Sequence, residues 1–75
     1  MKELVLFIAQ SLVENKEAVT VLETVGAEAT ILELHVAPED MGKVIGKQGR
    51  IAKSIRAVVR AATAKNQKPV FVEIQ

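Results

Sequence analysis

Two glycines three residues apart, in Val44-Ile45-Gly46-Lys47-Gln48-Gly49-Arg50-Ile51, constrain this chain more than any other feature. An apolar pair precedes them and a helical run whose charges are all basic follows, so the chain passes from one helix to another through a tight turn. Glycine has no Cβ, so Gly46 and Gly49 can take left-handed dihedrals and leave the turn surface bare, where a phosphodiester backbone can lie against peptide N–H groups. The helix that begins after Gly49 presents unpaired N–H groups and a partial positive charge, which also favour a phosphate. Lys47 and Arg50 add full charges at the same place. Such a turn touches backbone rather than bases.

The glycines admit other readings. A P-loop needs four residues between its first glycine and the Gly-Lys pair and then Ser or Thr, whereas Gly42 and Gly46-Lys47 are separated by three and followed by Gln48. Gly42 and Gly46 also form a GxxxG, but a membrane dimer needs it within about 20 apolar residues, and Lys43 and Lys47 interrupt that. Two helix caps without a ligand would use glycines as well, yet would leave the charge pattern without a cause.

That pattern lies in how the charges are divided. From Met41 to Val72 stand Lys43, Lys47, Arg50, Lys53, Arg56, Arg60, Lys65 and Lys68 with no acid, a charge of +8; the remainder carries two lysines against nine acids, a charge of −7, giving the net +1. A split of this kind marks a polyanion-binding face, while the acidic remainder limits nonspecific adhesion. A solvated basic helix is the plainer alternative.

At 75 residues the chain is one domain, and without cysteine it has neither a disulfide nor a thiolate zinc site to help it fold. No apolar run approaches the roughly 18 residues of a membrane span, and the N-terminus lacks a signal-peptide layout, so a cytoplasmic location is expected. His35 is the only histidine, beside Glu33 on a strand, and reads as a surface residue rather than a metal ligand or general base. Ser11 and Ser54 have no evident base. No enzyme, metal or cofactor is expected.

Along the chain, Leu4, Val5, Ile8 and Leu12 recur at three- and four-residue steps, predicting a helix over 2–13 with Phe7 at its margin, a core residue. Ala18 to Val25 is rich in β-branched residues and Thr30 to Ala37 alternates, with Leu32, Leu34 and Val36 inward and Ile31, Glu33 and His35 outward. The two predict an antiparallel hairpin turning at Gly26–Ala29. Pro38 opens a short helix whose first turn is complemented by Glu39 and Asp40. From Arg50 to about Ala64, Ile51, Ile55, Val58, Val59 and Ala62 share one arc and Lys53, Arg56 and Arg60 the opposite one. Pro69 ends that run, and Val70, Val72 and Ile74 face inward on a last strand, leaving Phe71 outward to stack on a base, pack in a dimer or stay exposed. A crossover of about thirty residues is long enough to make this strand parallel to the preceding one. The expected fold is α+β in the order αββααβ, a three-stranded mixed sheet with all helices on one face.

The run from Val44 to Ile55, with an apolar pair before GxxG and an isoleucine two residues after it, resembles the KH signature; a GXXG loop clamping four nucleotides is the hallmark of that module. With Val36 to Lys43, the N-terminal helix and the length, nearly the whole chain resembles the small bacterial single-KH proteins of the KhpA family. The resemblance implies a type II KH fold, with residues 1–28 a helix–strand extension of the same domain and 29–75 the KH core. It further implies single-stranded RNA binding through Lys43, Val44, Ile45, Gly46, Lys47, Gln48, Gly49, Arg50, Ile51 and Lys53. Of these, Lys47, Gln48, Arg50 and the glycine backbone would touch phosphate, Lys43 and Lys53 would be outer charges, and Val44, Ile45 and Ile51 with Ile55 would shape the apolar floor. Arg56 and Arg60, farther along the helix, would at most steer. It also implies a homodimer, a heterodimer with a larger KhpB-like KH protein, RNA chaperoning, and links to post-transcriptional regulation, cell elongation and cell-wall homeostasis.

With two phenylalanines and no Tyr or Trp, the chain lacks the aromatic platforms of sequence-blind single-strand binders, so binding through one groove should be weak and electrostatic. Neutralising about five phosphates would give a slope of log K against log salt of roughly −3 to −4. A second reading stays open, in which the loop is vestigial and the chain is an interaction subunit holding a larger partner.

Overall fold

The computed structural model describes residues 1–75. Helix α1 (Lys2–Leu12) is followed by strands β1 (Thr20–Val25) and β2 (Thr30–His35), helices α2 (Met41–Ile45) and α3 (Arg50–Ala62), and strand β3 (Val70–Ile74). Single 3-10 turns at Lys16–Ala18, Pro38–Asp40 and Lys47–Gly49 join them. The sheet order is β1-β2-β3, antiparallel between β1 and β2 and parallel between β2 and β3. This is the expected αββααβ arrangement, an α+β fold of the type II KH kind. No helix is long and apolar enough to cross a membrane.

The hairpin forms where glycine and alanines interrupt the β-branched runs, and the Gly26 N–H donates to the Ala29 carbonyl at 2.8 Å. Its register, Val21 opposite Leu34 and Glu23 opposite Leu32, follows from the alternation of β2, whose Leu32 and Leu34 are fully buried. A one-residue slip would turn Leu32 and Leu34 to the open face, so the core fixes the pairing. Beyond it, Val72 pairs with Leu32 on the buried side and Phe71 with Ile31 on the open side. Val5 and Ala9 of α1, Val44 of α2 and Ile55 and Val59 of α3 close the core over β2.

Three expectations are corrected. The first strand begins at Thr20, not Ala18: the Ala18 N–H donates to Asn15 and the Val19 N–H to Lys16, making a 3-10 turn before the strand. Phe7 is not in the core but 69% exposed. At 100° per residue it lies about 160° from Val5 and Ala9, which with Val13 form the buried line, so Leu4, Ile8 and Leu12 flank the core instead of centring it. On α3 the buried residues are Ala52, Ile55 and Val59. The core-facing side is rotated by roughly 50° from the expected arc, leaving Ile51 half-buried and Val58 and Ala62 exposed. α3 itself ends at Ala62, where the Thr63 hydroxyl donates to the Val59 carbonyl at 2.7 Å.

Candidate nucleic-acid interface

The α2–α3 turn places three of its four residues, Gly46, Gln48 and Gly49, in backbone conformations with positive φ. Gly46 has φ 77° and ψ 171°, a region open essentially to glycine, and its N–H closes α2 by donating to Gly42 at 2.9 Å. Gln48 and Gly49 then take left-handed dihedrals, φ 59° and 74°. The two glycines differ in what surrounds them. A Cβ on Gly46 would stand 2.6 Å from Ile51 Cγ1, so Gly46 is bare to let the first turn of α3 fold back on it; a Cβ on Gly49 would meet nothing within 4 Å. The isoleucine after the turn and the glycine before it are therefore one packing unit.

Gly49 caps α3 without any side-chain hydrogen bond, so the start of this 13-residue helix offers its N–H groups outward. Lys47, Gln48, Arg50 and Lys53 are exposed around it, and Arg50 Nη2 donates to Gln48 Oε1 at 3.1 Å. No acid pairs with Lys47, Arg50 or Lys53, because the ion pairs of the chain lie elsewhere. The turn and helix start thus carry three free cations over a bare backbone.

The remaining expected residues are placed differently. Val44 is fully buried and supports the turn from beneath, whereas Ile45 is partly exposed. Lys43 is not a free cation: its Nζ lies 3.3 Å from Asp40 Oδ1 and 3.6 Å from Glu14 Oε1.

Asp40, read from the sequence as a first-turn acid, is instead fully buried. Its carboxylate accepts the Asn15 N–H at 3.0 Å and the Glu14 N–H at 3.3 Å, tying the chain after α1 to the start of α2. The Asn15 amide, followed by the Glu14 amide and Lys43, holds its pKa below the usual carboxylate value against the opposing effect of burial. A contact across 25 residues has no local signature, although a lone Asp beside Pro38 and Lys43 was visible.

Sequence reasoning also undervalued Arg56. Its Nε donates to the Val72 carbonyl at 3.1 Å, bridging α3 to the outer edge of β3. With Arg60, Lys65 and Phe71 it lines a cleft of about 470 Å³ between the C-terminal half of α3 and the start of β3. His35 Nε2 and Glu33 Oε1 are 3.0 Å apart on the open sheet face, as the strand alternation suggested.

The profile of the KhpA/KhpB KH domain matches residues 2–74. This chain belongs to the KhpA/KhpB family of KH-domain proteins. A protein named RNA-binding protein KhpA from Clostridium perfringens is 66% identical over 74 residues, covering 99% of each chain. One of the same name from Clostridium acetobutylicum is 61% identical over the same share. Another, from Aquifex aeolicus, is 45% identical over 99% of this chain and 94% of its own. No solved structure matches. In this KhpA/KhpB-family chain, Ile45, Lys47, Gln48, Arg50 and Lys53 are exposed along the Gly46–Gly49 turn and the start of α3, while Val44, Ala52 and Ile55 of the same run are buried beneath it.

Proposed function

We propose that this chain is a single-stranded-RNA-binding KH protein that grips the RNA backbone at the Gly46–Gly49 turn. The observation that carries the reading is the pairing of a bare, left-handed turn with an uncapped start of α3, ringed by three cations that no acid neutralises. Phosphates would lie against the turn and the first N–H groups of α3, with Lys47, Arg50 and Lys53 as counter-charges. Ile45 and Ile51 would meet the bases, with Val44 and Ile55 as their support, and Gln48 would stay beside Arg50. Lys43, already compensated, would add little. A duplex offers the groove only its backbone, whereas a single strand can turn its bases inward. The names of the relatives support the ligand.

Three contacts set a salt slope of about −2 at the clamp itself, at roughly −0.7 per phosphate. A weak groove gains from being linked to a second one, which favours a homodimer or a complex with a KhpB-like KH protein. The exposed apolar side chains of Leu12 and Val58 and the joint name of the family support such a partner. Within this reading the complex acts in the cytoplasm as an RNA chaperone, and its effect on cell elongation and cell-wall homeostasis runs through the transcripts it holds.

The test is a K47D/Q48D variant titrated by fluorescence anisotropy against a labelled RNA of about ten nucleotides. Both side chains are exposed, and Asp tolerates the left-handed backbone at position 48, so the fold is retained. Loss of binding with an unchanged circular dichroism spectrum is the expected result. Unchanged binding would leave the interaction-subunit reading.

A further inference from the structure

The three helices cover one face of the sheet, and the other face has no layer over it. On such a face the outward residues of each strand are ordinarily polar. Here three are not. Leu22 and Phe71 are 57% and 55% exposed, and Ile31 stands between them on β2, paired with Phe71 and diagonal to Leu22. Together they form an apolar band across all three strands; its outer member, Phe71, also borders the α3–β3 cleft.

Beside this band lies a charge that the chain does not balance. Glu33 and Glu73 are partners on neighbouring strands, where like charges repel. Glu33 meets only the His35 ring, at 3.0 Å, and Glu73 has neither an ion pair nor a side-chain hydrogen bond. No lysine or arginine of the chain pairs with either carboxylate.

An apolar band next to paired carboxylates discriminates among occupants. A second copy laid face to face about a two-fold axis would set two Glu33–Glu73 pairs against each other, which their charge opposes. A second copy presenting the basic stripe of α3 would match the charge, but that contact is heterologous, builds rings or open filaments, and uses up the cations beside the turn. A different chain satisfies both halves of the face: an amphipathic helix with apolar anchors for the band and a lysine or arginine for the carboxylates. The dimensions agree. Three strands of up to six residues make a face of about 10 by 20 Å, and a helix of about 13 residues spans about 20 Å.

We infer that the open face of the sheet is a docking surface for a basic amphipathic helix of another protein, with apolar side chains on Leu22, Ile31 and Phe71 and a cationic one between Glu33 and Glu73. The face lies across the sheet from α2, α3 and the Gly46–Gly49 turn, so its occupation leaves the turn open. The inference does not depend on the RNA-binding reading.

The experiment selects, on the full chain, from displayed helical peptides of about 13 residues with leucines fixed at roughly every third or fourth position and all others random. The peptides retained should carry lysine or arginine beside the leucines. When one of them is titrated into the full chain, the amide signals of Leu22, Ile31, Glu33, Phe71 and Glu73 should shift saturably, while those of residues 46–50 stay in place. E33K/E73K should weaken this peptide about tenfold or more, and a peptide with glutamate in place of its cations should recover binding to that variant. L22T, which puts a β-branched residue at an exposed strand position, should weaken the original peptide about fivefold. Circular dichroism verifies that both variants are folded. Retained peptides without a cation, shifts confined to α1 and α3, a charge swap without recovery, or no retained peptide would overturn the inference. A wild type that self-associates in sedimentation and becomes monomeric as L22T would also overturn it, assigning the face to a second copy.

Discussion

Replacing Gly46 and Gly49 separately by alanine should have very different consequences. At Gly46, φ 77° and ψ 171° cost an alanine about 1–3 kcal/mol of backbone strain. The new methyl would also stand 2.6 Å from Ile51 Cγ1 and 2.9 Å from its Cβ and Cδ1. Overpacking of this kind costs a further 1–3 kcal/mol or so, bringing the total to about 2–6 kcal/mol. At Gly49, φ 74° and ψ 15° are ordinary left-handed helix, which costs about 1–2 kcal/mol, and no neighbour stands in the way. A domain of 75 residues has roughly 4–11 kcal/mol of stability to lose. G49A should therefore fold and melt about 4–16 °C below wild type, while G46A should melt at least as far below it again or fail to fold. Thermal and urea denaturation followed by circular dichroism measure both. The G46A/I51A double variant separates strain from clash. Removing Cγ1 and Cδ1 should make it less destabilised than the sum of the singles by about 1 kcal/mol or more. Equal stabilities of G46A and G49A, or strict additivity with I51A, would refute the claim that Gly46 is bare in order to seat Ile51.

Other consequences follow from the residues that the fold placed unexpectedly. Because the Asp40 carboxyl is held below its unfolded pKa, its contribution is present above that value and lost as pH falls through the folded one. The melting temperature should thus decline below about pH 4. D40N should melt lower than wild type at neutral pH and show a flatter acid decline; parallel curves would contradict this. Phe7, exposed on the side of α1 away from the core, should accept serine with a stability change within about 0.5 kcal/mol by urea denaturation, whereas a core phenylalanine would lose several.

Much of the fold was legible because the relevant signals are local. The alternation of Leu32, Leu34 and Val36 and the β-branched run before Gly26 each name their element, and Pro38, the GxxG and Pro69 mark where elements begin or end. The acid-free window likewise pointed to the face that carries Lys47, Arg50 and Lys53. What local signals lack is the azimuth of each helix against the sheet. Periodicity gives α3 an apolar arc, but small Ala52 packs closer to the core than Val58, and no spacing rule ranks the two. Phe7 was misplaced for the same reason, hydrophobicity outweighing its angle. Contacts between distant segments were equally silent. Asp40 with Asn15 and Arg56 with Val72 join residues 25 and 16 apart, and each rests on a hydrogen bond that only the assembled layers bring within reach. These links changed the reading of Lys43 from an outer phosphate contact to the exposed counter-charge of the buried Asp40 anchor, and of Arg56 from a steering charge to a strut.

The salt dependence of binding to a single-stranded RNA of about four nucleotides, with a duplex RNA as control, tests the central claim most directly. The account predicts saturable binding to the single strand with a slope of log K against log salt near −2, and much weaker binding to the duplex at every salt concentration. Absence of binding at low salt and high protein concentration, or equal affinity for the two RNAs, would contradict a backbone clamp at Gly46–Gly49.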